Sequence, residues 1–145
     1  MKITIETLPD GAEEEIIIRS NSLDSELMEL IYALKSGRSK LAAYTEDGIV
    51  RLDCRDVYYF ESVDNKVYAY CEKNVYEIKQ KLYELESIYE HSDMIRISKA
   101  MIVNVEKISK IVPMFNGRLE AVLGNGERVV ISRQYVPELK KKLGV

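Results

Sequence analysis

Ile3 and Ile5 alternate with Lys2, Thr4 and Glu6, the two-residue period of a half-buried strand. Pro9-Asp10-Gly11 supplies a turn, because proline presets φ and glycine accepts a positive one. Ile16-Ile17-Ile18 offers a second strand. From Leu23 the period lengthens: Leu23, Leu27, Leu30, Ile31 and Leu34 recur at helical spacing, with Ser22 as N-cap and Gly37 as the stop. Residues 1–38 therefore read as strand, strand, helix.

Beyond residue 38 the pattern turns to short strands. Leu41 to Tyr44, Ile49 to Leu52 and Val57 to Phe60 are β-rich, and Asp47-Gly48 suits a tight hairpin. Asp64-Asn65 interrupts, and Lys66 to Tyr76 resumes with Val67, Ala69 and Cys71 on one face, Cys71 being read as a small buried apolar residue. Ile78, Leu82, Leu85 and Ile88 or Tyr89 mark the stripe of a central helix. Ile95 to Asn104 and Ile108 to Met114 read as further strands, and Asn116-Gly117 and Gly124-Asn125-Gly126 as hairpin turns around Arg118 to Leu123 and Arg128 to Ile131. Ser132 caps a last, basic helix, with Pro137 in its first turn. The fold class is mainly β, or α+β: short antiparallel strands with a central and a C-terminal helix over residues 39–145, preceded by a small strand-helix extension over residues 1–38.

Composition narrows the class. The 145 residues, 46% hydrophobic and 31% charged, suffice for one good core with a small appendage. No stretch approaches the roughly 20 apolar residues of a membrane span, and the alternating N-terminus is unlike a signal peptide, so the expected location is the cytoplasm. Net charge is −3, unevenly spread. Residues 1–47 carry five Lys/Arg against ten Asp/Glu, and residues 48–145 sixteen against fourteen. The acidity is thus N-terminal, and the mildly basic remainder permits contact with nucleic acid without demanding it.

No catalytic constellation stands out. His91 is the lone histidine, in a polar stretch after a helix, which leaves no Ser-His or Cys-His pair. Gly124-Asn125-Gly126 lacks the Lys-Ser/Thr of a phosphate loop. Cys54 and Cys71 have no ligand spacing, and acidic runs such as Glu13-Glu14-Glu15 are more often solvated surface than metal sites. The chain reads as a non-enzyme with no cofactor and no metal.

Three segments carry more information when taken together: Asp56-Val57-Tyr58-Tyr59-Phe60-Glu61-Ser62, then Arg96-Ile97-Ser98-Lys99-Ala100-Met101-Ile102-Val103-Asn104, then Ile131-Ser132-Arg133-Gln134-Tyr135. In this order and spacing, residues 40–145 resemble the LytTR family of bacterial DNA-binding domains. The resemblance implies a strand-rich fold whose loops, rather than a recognition helix, enter successive major grooves at paired promoter elements. It also assigns base contacts to the loop after Glu61-Ser62 (Asp64, Asn65 and Lys66), to Lys99 and to Arg133. Many family members carry a phosphorylatable receiver domain upstream, for which residues 1–40 are far too short.

Residue chemistry is compatible with those roles. Arg133 has the planar fork for a bidentate contact with guanine, and Lys99 can donate to the same edge. Asn65 suits an adenine edge and Lys66 a phosphate. Ser98 and Ser132 suit backbone phosphates, and Lys140, Lys141 and Lys142 add non-specific attraction. Each also has a plainer reading. Lys99 would otherwise be solvated surface, Arg133 a helix decoration, and the triple lysine a favourable helix C-terminus. Glu61 is expected to hold a loop through backbone N–H groups, and Asn104 to make a turn. The expected partner is double-stranded promoter DNA, with no membrane. The stripe from Leu23 to Leu34 either covers a sheet edge in its own subunit or meets its copy in a homodimer. A rival function is an adaptor or antagonist that keeps this fold but binds a protein partner instead of DNA.

Overall fold

Tyr59 and Phe60 are adjacent, both buried, and in different cores. So are Ile102 and Val103. Successive side chains of a strand point to opposite faces, so a strand with both faces covered must be apolar throughout. That arrangement organises the molecule.

The computed structural model describes residues 2–36 and 40–145. The elements are α1 (Ser25–Ser36), β1 (Leu41–Thr45), β2 (Gly48–Leu52), β3 (Tyr59–Val63), β4 (Lys66–Tyr70), β5 (Val75–Ile78), α2 (Leu82–Ile88), β6 (Met94–Ser98), β7 (Met101–Asn104), β8 (Ile108–Pro113), β9 (Leu119–Leu123), β10 (Arg128–Ile131) and α3 (Val136–Leu143). The first seven strands form one antiparallel sheet in the order β2-β1-β5-β4-β3-β7-β6, and β10-β9-β8 form a second. One core joins Phe60, Val67, Ala69, Ile78 and Ile102 of the large sheet to Leu82, Leu85 and Tyr89 of the α2 region. On the other face, Tyr59, Ile97 and Val103 pack against Ala121, Leu123, Val129 and Ile131 of the small sheet and Leu139 of α3. The strand-rich class with a central and a terminal helix is as expected.

Several local readings need correction. Residues 2–24 contain no strand, and Ile3 and Ile5, expected to face inward, are 81% and 89% exposed. The turn bond from Ala12 N–H to the Pro9 carbonyl forms (3.2 Å), but no ladder follows it. A lone two-stranded hairpin is marginal in water, and no third strand is present to support this one. α1 is capped by Asp24, whose carboxylate accepts from Leu27 N–H (2.8 Å), not by Ser22. Gly37 lies outside the described residues. Lys66 to Tyr76 is not one strand but β4 and β5, folded back where Cys71 N–H donates to the Asn74 carbonyl (2.8 Å). Cys71 is consequently half-buried. Ile78 belongs to β5, and Tyr89, not the exposed Ile88, completes the α2 stripe. α2 begins where Lys81 N–H donates to the Glu84 carboxylate (3.1 Å).

Asn104 is the one polar side chain in the buried core of the described residues. Its Nδ2 donates to the Val57 carbonyl (3.0 Å), and its Oδ1 accepts from Glu106 N–H (3.1 Å), capping a turn of 3-10 helix. The residue joins β7 to the segment before β3 and starts the connection to the small sheet. Asn104→Ala leaves a buried carbonyl and a helix-start amide unpaired, so it should lower unfolding stability by about 2 kcal/mol. Urea denaturation should show a lower midpoint with an unchanged slope.

Candidate nucleic-acid interface

The decisive departure from the sequence reading is at Ile95 to Asn104. What reads as a single strand folds back as the β6–β7 hairpin, in which Ser98 opposes Met101 and Lys99-Ala100 form a two-residue tip. Lys99 is exposed at this tip. The register shifts between Arg96 and Ser98, leaving Ile97 as the extra residue of a bulge. Its carbonyl, displaced from the ladder, accepts from Ser132 N–H (2.9 Å). The residue after Ser132 is Arg133.

A second bond brings in the third loop. Ser62 N–H donates to the carbonyl of Ala100 (2.8 Å), so the end of β3 is fastened to the tip that carries Lys99. β3 then turns through Asp64 and Asn65, with φ of 50° and 67°, into β4. A primed two-residue turn requires both values, and Asp and Asn tolerate them best after glycine. Asn65, Lys99 and Arg133 thus lie exposed at one end of the sheets, held together by backbone bonds.

The charged groups at this edge differ in how they are engaged. Among the described residues, neither the Lys99 ammonium nor the Arg133 guanidinium has a hydrogen-bond or ion-pair partner, whereas Arg96 behind them is paired with Glu86, as Arg55 and Arg128 elsewhere are with Asp53 and Glu120. Lys66 stands at the start of β4, 3.8 Å from the carboxylate of Glu77 on β5, so it is drawn across the sheet as well as exposed. The Asn65 carbonyl accepts from Lys81 Nζ (3.0 Å), leaving its side-chain amide outward. Ser98 Oγ accepts from Ala100 N–H (3.2 Å) and retains a proton to donate. Ser132 makes no side-chain cap, contrary to expectation: a turn of 3-10 helix follows it, and α3 starts only at Val136.

Lys140 and Lys141 are not brought to this edge. α3 runs eight residues away from Arg133, roughly 12 Å. Lys142 lines a cleft of about 510 Å³ together with Arg55, Met94, Asn104 and Lys107. Met94 pairs with Asn104 at the opposite ends of β6 and β7 from Lys99, which places the cleft at the far end of the sheet. Glu29 of α1 lines the same cleft, which sets this part of α1 at the end away from Lys99. His91 is a surface residue beside that cleft.

Two supporting residues were not assigned these roles from sequence. Arg96, with only 18% of its side chain exposed, donates through Nε to the Ser98 carbonyl (2.7 Å) and through its terminal nitrogens to the Lys99 carbonyl and the Glu86 carboxylate. It grips the tip from behind. Glu61 anchors a side chain, not backbone amides as expected: it accepts from Tyr70 Oη (3.2 Å), whose ring stacks on Tyr59 at 4.4 Å. Burial, then the adjacent Glu61 carboxylate, pushes the Tyr70 phenol up, which keeps it protonated as the donor. No spacing rule marks Arg96, because its carbonyl partners exist only once the hairpin folds.

Removing that grip should loosen Lys99 without touching the ligand surface. Arg96→Ala is expected to weaken DNA binding about tenfold while leaving the salt dependence unchanged. Arg96→Lys should recover little, since an ammonium lacks the fork that serves several acceptors at once. Titrations at several salt concentrations check both statements.

Several known proteins resemble this chain. The LytTr DNA-binding domain model matches residues 47–144. Sensory transduction protein LytT of Bacillus subtilis (strain 168) is 27% identical over 132 residues, covering 91% of this chain and 55% of that protein. LytT of Bacillus anthracis is 32% identical over 106 residues, or 73% of this chain and 43% of that one. The chain therefore spans about half the length of these relatives. An uncharacterized HTH-type transcriptional regulator of Staphylococcus aureus (strain NCTC 8325 / PS 47) is 27% identical over 148 residues and aligns over 100% of this chain and 99% of its own. Among solved structures, a LytTr DNA-binding domain from Bacillus cereus superposes with a TM-score of 0.71 at 32% identity, covering 75% of this chain and 100% of that domain. This chain belongs to the LytTR family of DNA-binding domains.

Proposed function

We propose that this protein is a transcriptional regulator acting in the cytoplasm, which reads promoter DNA through the turns at the Lys99–Arg133 edge. The observation that carries the reading is the pair of backbone bonds, Ser62 to Ala100 and Ser132 to Ile97, that gathers three loops along one edge, two of them bearing an unpaired cation. Arg133 and Lys99 read base edges in the major groove, Asn65 reads a neighbouring base, and Ser98 and Ser132 hold phosphates. Lys66 divides its charge between Glu77 and the duplex. Lys140 and Lys141 add only long-range attraction from the far end of α3. The relatives named as regulators support this assignment.

Residues 1–38 form a separate extension in this reading, and residues 39–145 the DNA-binding domain. The extension pairs two copies on paired promoter elements. Leu27 and Ile31 are half-buried by the chain itself, but Leu23 is 70% exposed, and Ile3, Ile5, Ile16 and Ile17 of the same extension are open too. Together with Leu30 and Leu34 they offer an area on the order of the 800 Å² that each partner gives to a standard interface. The same open apolar surface favours the second reading, an adaptor that binds a protein partner.

Two measurements separate these readings. Arg133→Ala should weaken binding to the target site by roughly 10–100-fold and binding to random duplex far less. Equal loss on both would reduce Arg133 to a backbone contact. Wild-type affinity should fall with salt at a log–log slope near −0.9 per neutralised phosphate, whereas an adaptor gives no DNA shift at low salt. For the extension, Ile5→Glu and Ile16→Glu should convert a dimer to a monomer in analytical ultracentrifugation. A wild-type chain that is monomeric at high concentration would remove that part of the reading.

A further inference from the structure

A fourth turn reaches the same edge. Leu119, the first residue of β9, pairs with Ile131, the residue before Ser132, so the turn preceding β9 abuts the Ser132-Arg133 step. This turn runs from Met114 to Arg118 and is closed by Met114 N–H donating to the Arg118 carbonyl (2.9 Å). Asn116 and Gly117 follow each other at φ of 63° and 73°, which fixes its tip. Contact with Arg133 is immediate. A Cβ added to Gly117 would stand 3.1 Å from Arg133 Cδ and 3.2 Å from Cγ, so the arginine's methylenes lie on the bare face of the glycine.

Phe115 projects from the same turn. It is 87% exposed, more than any other aromatic ring among the described residues. Single exposed apolar residues are ordinary and need no explanation by themselves. This one is distinguished by its setting. Its turn is closed by a backbone bond, its carbonyl accepts from Arg118 Nε (3.4 Å), and it neighbours an unpaired guanidinium at the edge where Lys99 also lies. The apolar group that the major groove offers is the 5-methyl of thymine, and a phenyl ring is one of the side chains that packs on it.

We propose that Phe115 is a further specificity-determining residue, resting on the 5-methyl group of a thymine beside the base pair that Arg133 reads, and that Gly117 is a positioning residue that seats Arg133. The proposal rests on the base-reading role of Arg133. Phe115 supplies an apolar contact and Arg133 a polar one, so together they would read two adjacent positions from one pinned turn.

Uracil tests the methyl contact directly, because it differs from thymine only by that group. The probe is a duplex selected from a random pool by the full wild-type chain, with each thymine replaced singly by uracil. Wild-type protein should lose about fourfold at one thymine, the value of one buried methyl group. Phe115→Ala should bind the unmodified duplex at least that much more weakly and be indifferent to that replacement, while still discriminating at the base pair lost in Arg133→Ala. A Phe115→Ala variant that keeps the wild-type response to uracil overturns the proposal, as does a wild-type chain that responds at no thymine. Gly117→Ala should lose affinity for the selected duplex in the wild-type background and lose nothing further in Arg133→Ala. An equal loss in both backgrounds would deny Gly117 its positioning role. If Arg133→Ala weakens selected and random duplex alike while the uracil response of Phe115 persists, the Arg133 reading fails and the thymine contact stands. A wild-type chain that selects no sequence overturns both.

Discussion

The bond from Ser132 N–H to the Ile97 carbonyl, 2.9 Å long, is the point at which the two sheets are joined along the Lys99–Arg133 edge. Ile97 is the residue that the β6–β7 register cannot accommodate, and its displacement frees a carbonyl that a regular ladder would have used. Its side chain meanwhile remains fully buried among Val103, Ile131 and Leu139. The bulge is therefore held from both sides, by packing and by a hydrogen bond. Were Ile97 in register, the end of β10 would have no acceptor there, and Arg133 would be placed by side-chain packing alone.

Behind this edge the strand pattern does a second job. Tyr59 and Val103 face the small sheet while their neighbours Phe60 and Ile102 face α2, so β3 and β7 are clamped between two cores. At the Lys99 edge β3 runs into one two-residue turn and β7 emerges from another, and such short turns leave the backbone few alternatives. Ordering of such turns is largely complete before any ligand arrives, and the entropy cost of association falls accordingly.

Much of this was legible in the sequence, and the failures have specific causes. The hairpin near Asp47-Gly48 and the turns at Asn116-Gly117 and Gly124-Asn125-Gly126 were visible because glycine and asparagine mark positive φ, and the closing helix because Pro137 suits its first turn. Lys99-Ala100 carries no such mark, so Ile95 to Asn104 looks continuous although it reverses there. Glu72-Lys73-Asn74 hides the β4–β5 reversal in the same way. At the N-terminus the error ran in the other direction: Ile3 and Ile5 have the alternation of a strand but no sheet to join. Local pattern sets what a segment can form, and pairing partners decide what it does form. The grip of Arg96 and the seat at Gly117 were invisible for a related reason, since each contact exists only once the chain has folded, at the β6–β7 reversal for one and against Arg133 for the other.

The helix α2 touches this edge at two places. Lys81, at its start, holds the Asn65 carbonyl, and Glu86, one turn further on, holds Arg96 and through it the Lys99 carbonyl. Both ties lie near the surface, while Leu82, Leu85 and Tyr89 fix the opposite face of the helix region. The β3–β4 and β6–β7 turns consequently share one mechanical support. α2 is thus a common backing for both tips from behind, added to the Ser62–Ala100 backbone bond that fastens one tip to the other.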